Sequence, residues 1–279
     1  MQTNMNMNNI LGDEIVKKMA AVLITIAALA VTTTARAELP TLKTQTGKNI
    51  GLSFSSYEYQ EPGIMSLKGS KMGLDLRTTK VLQNEQFIRG DLRYAFGTVD
   101  YNGSGSANGE QDWYIEARGL VGKDWAINDA VLSPYTGLGY RYLFNDGRGI
   151  SSTSYAGYRR ESNYFYWPIG IIHRITLNDQ ARLESTLEYD HLLAGKQITS
   201  LSDTGQGFND LTNNQNSGYG LKLSVMYQKN NWAMGPYAHY WNIGQSDTAL
   251  LYKNGTLYGI AWEPKNNTVE FGLKASQQF

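Results

Sequence analysis

The sequence contains no cysteine and only 6 prolines among its 279 residues, and its charges cancel. Without cysteine, no disulfide can stabilise the fold, so stability must come from the main architecture. Lys plus Arg and Asp plus Glu each number 25, so the zero net charge gives no electrostatic basis for binding nucleic acid. No apolar run reaches about 18 residues, which excludes a helical membrane protein. The abundant residues, 19 tyrosines and 29 glycines, favour many strands joined by tight turns.

The N-terminal region has the features of an export signal. A lysine pair precedes an apolar run over 19–31, and a small-x-small motif ends at Ala37, which together predict a signal peptide cleaved after Ala37. The run is shorter than the roughly 20 residues of a membrane-spanning helix, although an N-terminal anchor is the alternative. Residues 1–15 are polar and out of place ahead of such a signal, so we expect translation to start at Val16, read from an alternative start codon. Residues 1–37 are thus an extension plus signal peptide.

Period-two alternation of apolar and polar residues predicts ten strands in the remaining chain. They are expected at 49–59, 70–81, 86–100, 111–125, 132–144, 162–175, 181–193, 217–228, 232–243 and 268–279. A barrel strand that crosses a bilayer needs about 9–11 residues, and all ten are long enough.

The predicted connections alternate strictly between short and long. The short ones are 82–85, 126–131, 176–180 and 229–231, and the long ones are 60–69, 101–110, 145–161, 194–216 and 244–267. The last three short connections carry Asn-Asp or Asn-Asn pairs, which favour turns. Short periplasmic turns and long external loops are typical of outer-membrane barrels, whereas a soluble sandwich gives no reason for such alternation.

The predicted C-terminal strand, 268–279, has one apolar face and ends on an aromatic residue. The apolar face consists of Val269, Phe271, Leu273 and Ala275. With its final Phe279 in the apolar register, this strand resembles the last strand of small outer-membrane β-barrel proteins of Gram-negative bacteria. The resemblance implies an all-β, transmembrane antiparallel up-and-down β-barrel of about ten strands over 38–279, located in the cell outer membrane. It also implies contacts with outer-membrane lipid and lipopolysaccharide, and recognition of the C-terminal strand by the barrel assembly machinery.

Aromatic residues near the strand ends predict two girdles at the membrane interfaces. The external girdle comprises Tyr57, Tyr59, Tyr101, Trp113, Tyr164, Phe165 and Trp167, and the periplasmic girdle comprises Trp125, Tyr227, Trp232 and Phe279. Two prolines, Pro168 and Pro236, fall inside predicted strands although proline cannot donate to a ladder. We expect a bulge or local break at Pro168, and Pro236 poses the same difficulty more mildly.

The polar register predicts a charged lumen. Its members are Asp75, Arg77, Arg89, Asp91, Arg93, Glu116, Arg118, Arg141, Arg182, Glu184, Glu188, Asp190, Lys222, His239, Glu270 and Lys274. Eight permanent cations face seven carboxylates, so neither sign dominates. A barrel of about ten strands is scarcely wider inside than its side chains, whereas open porins need about 16–18 strands. The lumen charges are therefore expected to pair and to form a plug. The alternative is a narrow selective pore.

The chain shows no motif for a catalytic, cofactor-binding or metal site. One arrangement looks somewhat like the omptin proteases, ten-stranded outer-membrane barrels that set a carboxylate pair across a groove from an Asp–His pair. That likeness implies that Glu110 and Asp112 position a water and that His191 acts as a base oriented by Asp190. Omptins place their Asp and His two residues apart on one face. Here they are neighbours, and a regular strand sends them to opposite faces.

The leading interpretation is a non-enzymatic barrel whose five long loops contact an external ligand that the sequence does not identify. The alternatives are a porin-like channel for small solutes and an omptin-like surface protease. Residues such as Tyr155, Arg160 and Trp262 are expected to be exposed on these loops. The stretch 248–262, centred on Asn-Gly, predicts an external hairpin, with a loop folded over the barrel mouth as the alternative.

Overall fold

A computed structural model describes residues 42–178 and 181–279, so the predicted signal peptide and the Val16 start lie outside the described residues. The described strands are β1 (Gly47–Glu61), β2 (Met65–Val81), β3 (Gln86–Asn102), β4 (Ser106–Lys123), β5 (Trp125–Ile127), β6 (Ala130–Asp146), β7 (Arg159–Asn178), β8 (Ala181–Thr199), β9 (Leu211–Gln215), β10 (Gly218–Lys229), β11 (Trp232–Ile243), β12 (Thr248–Lys253), β13 (Thr256–Trp262) and β14 (Asn266–Gln278). Within these ranges, no helix is long and apolar enough to cross a membrane.

The main sheet closes on itself. β1 pairs with both β2 and β14, and antiparallel pairing continues in both directions until β8 meets β10. β4 and β5 both pair with β6, and β9 and β10 both pair with β8, so each couple forms one wall strand. The result is the predicted ten-stranded antiparallel barrel, in which each of the ten described wall strands pairs with a neighbour on both sides.

Alternate residues of each wall strand face opposite environments. In β1, Leu52 and Phe54 are 66% and 62% exposed, while Ser53 and Ser55 are buried. Because side chains in a strand alternate between faces, the outer surface carries an apolar belt and the lumen receives the polar register. The predicted orientation of the wall strands is confirmed.

The strands are longer than predicted at the external end. The predicted loops 60–69 and 101–110 are mostly continued strand, with the chain reversing only near 62–64 and 103–105. The outward face is polar here, for example where Lys68 pairs with Glu58 at 3.0 Å, while the inward face carries buried Met65 and Leu67, so the apolar-outward pattern of the membrane belt is absent. The wall therefore rises beyond the apolar belt on the external side.

Asparagine shapes two of the three short turns predicted from Asn pairs, and the third, at 176–180, runs into residues outside the described ranges. Asn128 and Asn230 adopt left-handed backbone angles, φ 51° and 52°, which asparagine tolerates better than most residues. The external hairpin β12–β13 is also confirmed. It reverses at Asn254 and Gly255, with φ 49° and 80°, as expected of an Asn-Gly hairpin turn. Its contacts include backbone hydrogen bonds to the segment 207–209.

Both strand prolines coincide with local breaks in the ladder. The β6–β7 pairing skips 137–138 and 167–168, and the β10–β11 pairing skips 225–226 and 235–236. Pro168 and Pro236 thus lie where one neighbouring ladder is already interrupted, so no backbone donor is required of them. The expectation for Pro168 is confirmed, and a bulge in β8 at Leu193 lies close by.

The external girdle prediction is wrong for four of its residues. Tyr57, Tyr59 and Tyr164 have inward parity, and Tyr101 packs against the buried cluster around Tyr57. Their rings fill the external end of the lumen, where the Tyr59 hydroxyl lies 3.1 Å from a carboxylate oxygen of Glu61 and of Glu263. Position near a loop indicates height in the membrane, but only parity indicates the face. Phe165, Trp167, Trp125, Trp232 and Phe279 are exposed, as predicted.

Candidate functional site

All the predicted lumen residues lie on the inward register, and most of their charges are paired. At mid-height Arg93 is the centre of one network. Its guanidinium donates to Asp75 Oδ2 at 2.9 Å, to Glu270 Oε1 at 2.7 Å and to the Tyr237 hydroxyl at 2.7 Å. Glu270 also accepts from the Tyr114 hydroxyl at 2.6 Å. These residues come from strands on several sides of the barrel, so the network bridges the lumen.

A second network links the opposite wall. Arg118 donates to Glu188 Oε1 at 2.5 Å and to Asp91 Oδ2 at 2.7 Å. The Tyr135 hydroxyl donates to the other Glu188 oxygen at 2.6 Å. The Tyr135 ring lies over Gly170, where an added Cβ would come within 2.3 Å of it, so glycine at that position makes room for the ring. Small wall residues and large inward rings together fill the cross-section.

On the external side of these networks lies a layer of charged residues that form few hydrogen bonds. Arg141 is 1% exposed, and its guanidinium lies 4.0 Å from the centre of the Tyr114 ring and 3.6 Å from Glu116 Oε2. No described residue hydrogen-bonds to its three guanidinium nitrogens. Asp190 is fully buried and 3.2 Å from Lys222 Nζ. This layer is held by ion pairs and cation–π contacts.

The external mouth is crossed by a cluster that we call the latch, formed by Tyr59, Glu61, Arg160 and Glu263. Arg160 donates to Glu61 Oε1 at 2.8 Å, and the Tyr59 hydroxyl lies 3.1 Å from both carboxylates. Burial, opposed by Arg160 and reinforced by Glu61, raises the pKa of Glu263 to about 7. Arg160 was expected to be exposed on a loop. That expectation is wrong, because it lies at the start of β7 on the inward register.

Outside the latch, a groove of about 820 Å³ opens between the β3–β4 hairpin and the segment 146–160. The hairpin tip is tied to that segment where Ser106 N donates to Ser152 Oγ at 2.9 Å and Thr153 Oγ1 donates to Ser104 O at 2.7 Å. Glu110 lines the groove and accepts from Asn145 Nδ2 at 3.3 Å, but forms no ion pair with a described residue. Burial raises its pKa. Exposed Tyr155 and Ile150 supply apolar surface beside it.

The structure does not assemble the omptin-like constellation. Asp190 is buried in the lumen, while His191 is exposed on the outer face and stacks against Tyr189. The two side chains point in opposite directions, as their adjacency predicted, and the β8 bulge lies beyond them at Leu193. Asp112 is also engaged elsewhere, as a buried partner of the Lys71 ammonium. Glu110 alone of the four lines the external groove.

The sequence reasoning missed several lumen residues. Lys71 and its partner Asp112 form a buried pair, and Arg174 pairs with Glu184 at 2.7 Å and approaches Asp124 at 3.7 Å. Lys71 lies four residues before Asp75 on β2, and residues an even number of positions apart in a strand share a face, so the sequence places Lys71 in the lumen as well. The inward tyrosines could have been found in the same way.

Comparison with known proteins supports the fold alone. No family model and no curated protein matches the chain. Among solved structures, the outer membrane protease OmpT from Escherichia coli matches with a TM-score of 0.57 and 10% identity, over 84% of this chain and 97% of that one. The translocator domain of the autotransporter NalP from Neisseria meningitidis (TM-score 0.39, 12% identity, 94% and 98% covered) is also similar. So is Neisserial surface protein A (TM-score 0.34, 10% identity, 84% and 98% covered). The chain has the fold of outer-membrane β-barrel proteins.

Proposed function

We propose that the chain spans the outer membrane as a closed, non-enzymatic barrel that binds an external ligand. The observation that carries this proposal is the cross-bridged lumen, in which networks centred on Arg93 and Arg118 join several strands at mid-height. Paired charges and buried rings occupy the cross-section through which a solute would have to move. The latch adds a second obstruction at the external mouth.

Single-channel recording in planar bilayers tests the closed lumen. We expect the purified protein to show little conductance at neutral pH. Arg93→Ala should raise the conductance, because it removes the cation that bridges Asp75, Glu270 and Tyr237. Steady, large conductance in the unmodified protein would favour the small-solute channel instead.

The geometry also argues against an omptin-like protease. A general base must reach the same substrate as the carboxylates that orient its water. His191 faces outward and Asp112 is bound to Lys71, so the two cannot meet at one substrate without rebuilding the wall. We expect no cleavage of basic peptides and no effect of His191→Ala beyond local stability. Peptide cleavage abolished by both His191→Ala and Asp112→Ala would reverse this conclusion.

The external groove is the surface best suited to ligand contact. Its volume lies within the roughly 300–1,000 Å³ that small-molecule sites occupy. A carboxylate without an ion-pair partner among the described residues, Glu110, lies beside exposed Ile150 and Tyr155. This combination suits a cation attached to an apolar body. Phenethylamine is a suitable probe, and NMR titration should show saturable shifts that Glu110→Gln abolishes and Asp100→Asn, nearby on β3, leaves in place. Identical titrations for Glu110→Gln and the unmodified protein would contradict the assignment.

A further inference from the structure

Two adjoining cavities occupy the periplasmic half of the lumen, and they differ in charge. The inner cavity, about 130 Å³, is lined by six cations and five carboxylates. The second, about 60 Å³, lies at the mouth, beside the turn at 230–231 and Gln278. The charged residues lining this mouth are Lys43, Arg77, Arg89, Arg174, Arg182 and a single carboxylate, Glu184. Lys43 also pairs with Glu85 at 2.5 Å and Arg174 approaches Asp124 at 3.7 Å, so the mouth has a smaller excess of positive charge than its lining alone gives.

One carboxylate serves three of the nearby guanidinium groups. Asp91 accepts from Arg77 Nε at 2.9 Å and from Arg118 Nη2 at 2.7 Å, and it lies 3.3 Å from Arg89 Nε. Arg118 has a second partner in Glu188. Glu184, which pairs with Arg174, is the second carboxylate near Arg77 and Arg89, so the two carboxylates Asp91 and Glu184 are shared among the four guanidinium groups of Arg77, Arg89, Arg118 and Arg174.

Arg89 is the least satisfied member of this group. It is 7% exposed, and its Nε has no hydrogen-bond partner among the described residues. Its guanidinium lies 5.1 Å from the centre of the Tyr135 ring, which holds it in the wall of both cavities. A buried cation short of hydrogen bonds and counter-charge is costly, and an anion in the cavity would relieve that cost.

The other arginines at the mouth extend the donor array. Arg182 Nε donates to the neutral Gln228 side chain at 2.5 Å, and Arg174 donates to Glu184 and to Ser133 Oγ. Guanidinium forks suit oxyanions, because their parallel N–H groups match two oxygens of a phosphate or carboxylate. A monatomic anion would use fewer of these donors.

We propose that the periplasmic mouth is a binding site for a small phosphate-type oxyanion, either the free ion or a phosphate ester. Arg89 supplies the donors, and Arg77 and Arg182 supply further positive charge. The site lies at the opposite end of the barrel from the external groove, so it does not depend on the proposed external ligand.

Isothermal titration calorimetry on the full chain in a neutral maltoside detergent tests this site, with inorganic phosphate and glycerol phosphate as the two probes. We expect saturable phosphate binding that Arg89→Gln weakens about tenfold or more, as expected for loss of a charge-assisted hydrogen bond. The matched control is Lys80→Gln, which removes an exposed cation near the same end of the barrel. Lys80 adjoins Thr79, the β-sheet partner of Arg89, and should leave binding unchanged.

A second variant keeps the test decisive if Arg89→Gln fails to assemble. Arg182→Gln leaves the Asp91 and Tyr135 contacts of Arg89 intact and should also weaken phosphate binding. Binding of inorganic phosphate alone would identify the free ion, and binding of both probes would identify an accepted ester. Absence of saturable binding, or equal weakening by Lys80→Gln, would overturn the proposal.

Discussion

The two mouths of the lumen differ in the sign of their unbalanced charge. At the external mouth, the latch sets the two carboxylates of Glu61 and Glu263 against the single cation of Arg160. At the periplasmic mouth, five cations line a cavity that contains one carboxylate. The paired networks around Arg93 and Arg118 lie between them. The near balance of charge over the whole lumen thus says nothing about either end.

The difference also changes how each mouth relieves its imbalance. A buried carboxylate can lose its charge by taking up a proton, and the raised pKa of Glu263 favours this protonated form. Arginine remains charged at all accessible pH values, so the basic mouth needs an anion or water instead. The external end should therefore respond to pH, and the periplasmic end to oxyanions.

The largest expected effect comes from removing the layer that separates the mouths. Arg93→Ala leaves Glu270 buried without its main cation and Asp75 with Lys274 alone, and should lower the free energy of unfolding by about 3–5 kcal/mol. Urea unfolding followed by gel mobility measures this change. Arg148→Ala removes an exposed arginine paired with Asp146 and should shift the unfolding midpoint far less, because solvent screens this pair. Equal midpoints for the two variants would contradict the bridging role of Arg93.

The latch should make stability fall as pH rises. The pKa of Glu263 is about 7 in the folded protein, above its ordinary value near 4.5, so the unfolded chain loses its proton first. Stability from this group is fully present below about pH 4.5 and is lost as pH rises to about 7.

Glu263→Gln should remove that dependence. It should raise the unfolding free energy at pH 8 by roughly 1–3 kcal/mol and leave it nearly unchanged at pH 4.5. Glu58→Gln, which alters an exposed carboxylate on the same external wall, serves as the control. A pH profile that Glu263→Gln leaves unaltered would show that the latch carboxylates titrate normally.

The smallest effects should come from the turns, and they should differ between the two ends. Asn230→Ala and Gly255→Ala each place a Cβ-bearing residue that disfavours positive φ in a left-handed turn, at a cost of about 1 kcal/mol. Asn230 joins two wall strands, so its change should lower global stability. Gly255 lies in the external hairpin, so its change should lower hydrogen-exchange protection only within β12 and β13. Global destabilisation by Gly255→Ala would mean that the hairpin belongs to the barrel's cooperative unit.

The sequence predicts well whether a residue faces the lumen or the outside, but predicts poorly where it lies along the barrel axis. Period-two alternation located the wall strands and assigned Arg93, Glu188 and Glu270 to the lumen, because a strand offers only two faces. It did not separate a basic mouth from an acidic one. Height depends on how far each strand is staggered against its neighbours, and that stagger is set by pairing across the whole barrel. Tyr57 and Tyr164 are a different case, because their closeness to loops indicates their height while their parity places them inside the lumen.

The ion-pair partner of each charged residue could not be predicted from the sequence either. Arg160 and Glu61 are 99 residues apart in the chain, and nothing local connects them. Asp112 shares a face with Glu110, but it lies in the lumen and is paired there with Lys71, on β2. Positions next to each other in a strand were predicted reliably: Asp190 and His191 face opposite sides of the wall, as neighbours in a regular strand must.

The contact between Arg160 and Glu61 also has a mechanical meaning. It joins β7 to β1, which lie five strands apart in a ring of ten and therefore face each other across the full diameter. The walls at this height rise beyond the apolar belt, where no surrounding lipid presses them into a round section. An ion pair across the diameter opposes any deformation of the rim that would move β1 and β7 apart. The latch thus holds the external end of the barrel in a round cross-section.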